Sequence, residues 1–113
     1  MILDIDGAQY PVVHIEQLTL AKVLALQAEL AANPSITSVR SWREIRRLWD
    51  EYSSLPDREA QLNHPESVFL TALIIWSARV SAGDDVTLLE AADVRLQAVR
   101  WIRDQAEQAE GKA

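Results

Sequence analysis

The sequence predicts an α+β fold, mainly α, in which an N-terminal β-hairpin is followed by a compact bundle of four to five helices around a central apolar helix at about 65–82. Three observations carry this reading. Two short β-prone runs flank Asp6-Gly7, a dipeptide that readily adopts the positive φ angles of a tight hairpin turn. Residues 65–82 are apolar on nearly every side, as a helix covered by its neighbours must be. Helix-start signals recur at Thr19, Ser41 and Thr87, the last two followed by Glu44 and Glu90 at capping-box spacing.

The 113 residues fit one domain, able to bury roughly two thirds of the surface of the unfolded chain. That domain is expected over 1–104, with the hairpin at 1–16, the bundle at 19–104, and a polar tail at 105–113 that frays. Pro11 cannot donate a ladder hydrogen bond, so the second strand should lie at an edge or be interrupted there. Leu20, Val23, Leu24, Leu30 and Ala31 recur at helical spacing until Asn33-Pro34 ends the run. After the NPSITS loop, Ser41 opens a helix with Trp42, Ile45, Leu48, Trp49 and Tyr52 on one side. A brief helix fits between Pro56 and Pro65. The central helix then runs from Pro65 to a C-terminal cap at Gly83, with Phe69, Leu73, Trp76 and Val80 as one stripe. From Thr87 onward, Leu88, Ala92, Leu96, Val99, Ile102 and Ala106 continue a helical face.

Composition narrows the function classes. With 11 Lys+Arg against 17 Asp+Glu the net charge is −6, which repels phosphate backbones at long range and argues against nucleic acid as a partner. The chain has no cysteine, which removes disulfides, thiolate metal sites and cysteine nucleophiles. No signal peptide is legible in MILDIDGAQY. The uncharged interval between Glu66 and Arg79 is 12 residues, against about 20 for a membrane span, so no membrane role is expected.

Enzymatic constellations do not stand out. His14 and His64 lack metal-ligand spacing, and His64, just before Pro65, fits a helix start. Asp4 and Asp6 resemble the opening of a calcium loop, but Ile15 occupies the position of the bidentate glutamate, so both read as hairpin residues. Asp84-Asp85 reads as solvated loop charge. The three glycines, Gly7, Gly83 and Gly111, are too far apart for a phosphate loop. No enzyme activity and no cofactor are expected. Arg40, Arg43, Arg46 and Arg47, interleaved with Trp42 and Trp49, form the one basic cluster, which supports an alternative reading as a small helical nucleic-acid-binding regulator. Glu44, Asp50 and Glu51 dilute it. What remains is hydrophobic area: a domain this small cannot easily hide four tryptophans, and exposed aromatic patches mark association sites. Trp76 reads as core; Trp42, Trp49 and Trp101 suit either use. The aromatic set Trp42, Ile45, Leu48, Trp49 and Tyr52 is the candidate partner-facing surface.

Two stretches, IDGAQYPVVHIEQLTLAKVLALQAEL and HPESVFLTALIIWSARVSAGDDVTLLEAADV, resemble the tail assembly chaperones of long-tailed bacteriophages from G+C-rich hosts. Nine Arg against two Lys, Lys22 and Lys112, fit such a codon bias. The resemblance implies a non-enzymatic chaperone in the host cell cytoplasm, absent from the mature virion. It would bind the tape measure protein, keep it soluble and help recruit tail tube protein, with self-association. It also implies a longer product reached by a frameshift, and Glu110-Gly111-Lys112-Ala113 can be encoded by GAG-GGA-AAG-GCN, which holds a slippery heptamer. The ending VRWIRDQAEQAEGKA departs from the acidic, proline-bearing tail that the resemblance would imply.

Overall fold

A computed structural model describes residues 1–39 and 41–102. The turn at Asp6-Gly7 forms as its chemistry dictates: both residues have positive φ, 52° and 90°, and the Gly7 amide donates to Asp4 Oδ1 at 3.0 Å. It joins β1 (Ile2–Ile5) to β2 (Ala8–Pro11) in antiparallel register, with Leu3 opposite Tyr10 and Ile5 opposite Ala8. β2 is an edge strand, where Pro11 leaves no ladder bond unmade. A 3-10 turn at Ile15–Gln17 then leads to five helices: α1 (Leu20–Ala32), α2 (Trp42–Ser53), α3 (Arg58–Leu62), α4 (Ser67–Ser81) and α5 (Leu88–Ala92).

The expected helical face running from Leu88 through Val99 and Ile102 is corrected by the structure. α5 stops at Ala92, a 3-10 turn follows at Leu96–Ala98, and β3 (Val99–Ile102) pairs antiparallel with the free edge of β1. The hairpin is thus two thirds of a three-stranded sheet of order β2-β1-β3, and 19–104 is not helical throughout. The reason lies on both sides of the pairing. Val99, Trp101 and Ile102 are β-branched or aromatic, which suits a strand, and β1 in the centre must satisfy backbone groups on two edges. Leu3, opposite Trp101, becomes fully buried. Ala106 and the expected tail at 105–113 lie outside the described residues.

Caps fix the helix starts. Thr19, Ser41, Asp57 and Thr87 each accept a backbone N–H of the turn they open. α5, only five residues long, is held twice: Thr87 and Glu90 form a reciprocal capping box, and the Glu29 carboxylate of α1 accepts from the amides of Leu88 at 2.7 Å and Leu89 at 3.0 Å. The hydrogen bond from the Thr87 amide, and then that with its hydroxyl, hold the Glu90 carboxyl below its ordinary value of 4.5, with a smaller contribution from Arg79. Since the folded-state value is the lower one, this contribution is present above the ordinary value and lost as pH falls through the folded value. Thr87→Ala is therefore expected to move the Glu90 titration back toward its ordinary value by NMR, and loss of the hydroxyl cap to cost about 1 kcal/mol in denaturant unfolding.

α4 is the core helix. Nine of its residues are buried, including the stripe of Phe69, Leu73, Trp76 and Val80 and the flanking Leu70, Ile74 and Ile75. It packs against α5, α2 and β2. Trp76 donates its indole N–H to the Val86 carbonyl at 3.0 Å, and Ser77, fully buried, donates to the Ile74 carbonyl. Pro65 lies in the turn before the helix, which starts two residues later. At the other end Gly83 has φ of 104°; its amide bonds Val80 and that of Asp84 bonds Arg79, the paired bonds of a Schellman cap. Asp84 is more than loop charge: its Oδ2 accepts from Arg79 Nε at 3.0 Å and the Tyr10 hydroxyl at 3.2 Å, tying the hairpin to the end of α4.

Candidate functional site

The aromatic face of α2 points inward. Ile45, Leu48, Trp49 and Tyr52 are buried in the common core, and Trp42 alone of the expected partner-facing set is partly exposed. Helical spacing is the same for a face turned to α4 and a face turned to a partner; here the core of the chain itself takes it. Of the other tryptophans, Trp76 is buried and Trp101 is packed partly against the core.

Two of the three arginines of α2 are engaged by neighbouring carboxylates, and Arg43 is exposed. Arg46 pairs with Glu16, and Arg47 with Glu51 at 3.2 Å one helical turn on. With Trp49 enclosed, the cluster has lost a stacking platform that the nucleic-acid reading needs. Arg40 lies outside the described residues. Both histidines serve helix starts and reach back to α2. His64 Nδ1 accepts the Glu66 amide and its Nε2 meets Glu51 at 2.9 Å; His14 Nδ1 accepts the Glu16 amide and its Nε2 meets Asp50 at 3.3 Å. Because Nδ1 accepts in each ring, the proton of the neutral form sits on Nε2, facing the carboxylate. Among the described residues no group of three or more His, Asp or Glu side chains could hold a metal ion. No helix among them is long and apolar enough to cross a membrane.

Exposed apolar area instead collects at two places. The first lies where α3, α4 and the α5–β3 connection meet. Leu62, Val68 and Leu96 are 60%, 79% and 80% exposed there, around a recess of about 150 Å³ floored by Ala72, Ile75 and Val99. A larger recess of about 460 Å³ shares Arg58 with it and is lined by Val12, Trp49, Leu55, Pro56, Ile74 and Trp101 among others. The second is the outer face of α1. Every exposed residue of that helix is apolar: Leu20, Ala21, Leu24, Ala25, Ala28, Ala31 and Ala32. Glu29, one of its two charged side chains, is spent on the α5 N-terminus.

The sequence singles out none of Leu62, Val68 or Arg58 as a site residue, and it places Leu96 on the helical face running on from Leu88, whereas the structure leaves it exposed. Val68 offers the one usable signal, since it falls outside the stripes of α4 that meet the core. Leu62 and Leu96 lie on segments too short for a helical period to sort inside from outside. Neither a protein-family model, nor a curated protein, nor a solved structure matches this chain.

Proposed function

We propose that this chain is a phage tail assembly chaperone, which binds the tape measure protein, keeps it soluble in the host cell cytoplasm, helps bring tail tube protein to it, and does not stay in the mature virion. The observation that carries the reading is the exposure of Leu62, Val68 and Leu96 around an apolar recess, on a domain whose net charge of −6 favours solubility. A holdase for long helical clients needs this combination. It must offer apolar grooves into which amphipathic segments can lie, and an exterior that resists clumping. The resemblance of the two quoted stretches to such chaperones points the same way, and the uncharged outer face of α1 suits the self-association that it implies. Co-expression with the tape measure protein of the same phage tests the proposal. The client is expected to move from the insoluble to the soluble fraction when this chain is present. An equally insoluble client with and without it overturns the reading.

A further inference from the structure

We propose that the two recesses flanking Arg58 form one continuous site for an amphipathic helical segment of a partner that carries a carboxylate between apolar side chains, with Arg58 as the carboxylate receptor. The inference rests on the chaperone reading and goes beyond it by naming the chemistry of the segment recognised.

The guanidinium of Arg58 is held by three side chains. Its central carbon lies 5.3 Å from the centre of the Trp101 ring, and its Nη1 donates to the Tyr52 hydroxyl at 2.9 Å and to Gln61 Oε1 at 3.4 Å. Nε and Nη2, the other edge of the planar fork, have no hydrogen-bond partner among the described residues. That edge has the spacing that accepts both oxygens of one carboxylate, and its fixed position means little side-chain entropy is lost on binding.

Charge selects the ligand. In a chain of net charge −6, Arg58 is, among the described residues, the single charged side chain lining the smaller recess, and it shares the larger with the Asp57 side chain and with Met1. Asp57 is turned to its own helix, its Oδ1 accepting the Ala60 amide at 2.8 Å. A ligand that fills both recesses therefore meets mainly apolar walls on either side of one cationic side chain. An amphipathic helix with Asp or Glu between apolar residues three or four positions away supplies that order of groups, whereas a small carboxylic acid fills one recess at most.

The test uses two fluorescein-labelled 20-residue amphipathic helical peptides, identical except for Glu or Gln at the centre of the apolar face, titrated with the full chain by fluorescence anisotropy. The Glu peptide is expected to bind about tenfold more tightly, the scale of a hydrogen-bonded charge pair. Arg58→Gln should abolish the difference, and Arg58→Lys should retain only a small part of it, because an ammonium lacks the planar fork. Unchanged unfolding curves for both variants exclude a folding defect as the cause. Equal affinity for the two peptides, no binding of either, or a preference that survives Arg58→Gln overturns the inference. So does dodecanoate binding more tightly than the Glu peptide, or an Arg58-dependent dimer in sedimentation, each naming a different occupant. If Arg58→Gln shows no peptide effect yet the unmodified chain still solubilises the tape measure protein, this inference alone fails. Failure of the unmodified chain in co-expression removes the chaperone reading whatever the peptides do.

Discussion

Replacing Trp76 by alanine is expected to cost about 3–5 kcal/mol, enough to leave the chain at the edge of folding against a total stability of about 5–15 kcal/mol for a domain of this kind. Trp76 is 2% exposed at the centre of α4, the helix against which α2, α5 and the sheet all pack, so the truncation opens a cavity where several elements meet. It also removes the indole N–H that satisfies the Val86 carbonyl in the segment leading to α5. Trp76→Phe separates the two contributions: most of the volume stays and the hydrogen bond goes, for an expected loss of about 1–2 kcal/mol. Urea unfolding followed by far-UV circular dichroism measures both. A Trp76→Ala midpoint close to that of the unmodified chain would falsify the assignment of α4 as the organising element.

How far the sequence reveals this fold depends on the range over which each signal acts. The Asp6-Gly7 turn, the caps at Thr19, Ser41 and Thr87, the Asn33 and Gly83 stops and the enclosed α4 all follow from residues within a few positions of one another, and the structure has each of them. β3 does not follow in that way. Leu88, Ala92, Leu96 and Val99 satisfy a helical period, and Val99 and Trp101 satisfy a strand period as well. The choice is made by β1, almost a hundred residues earlier, which has an edge to fill. The site shows the same limit more sharply. The α2 set is amphipathic in sequence and in structure, but an apolar stripe records that a face is covered, never by what. Ile45, fully buried, and Val68, largely exposed, are both β-branched residues in the first turn of a helix with an apolar face; Val68 falls beside the stripes of α4 that meet the core, and the packing of α4 among its neighbours leaves it in water.

That separation gives the second large effect. The triple substitution Leu62→Ser, Val68→Ser and Leu96→Ser is expected to abolish solubilisation of the tape measure protein while shifting stability by no more than about 0.5 kcal/mol per site, because these side chains are already mostly in water when the chain is folded. Ile45→Ala is expected to behave in the opposite manner. It should cost about 2–5 kcal/mol by leaving a cavity at a fully buried position, and a folded fraction that survives should still hold the client. Soluble client in co-expression, read beside urea midpoints of the purified variants, scores the two quantities separately. Apolar side chains standing in water cost little to keep and little to remove, so a large functional loss on removing them can come only from something that covers them in a complex. If instead the triple variant holds the client as well as the unmodified chain, the contact surface lies elsewhere, and the charge-free outer face of α1, with Leu20 at 82% exposure, becomes the face to substitute next.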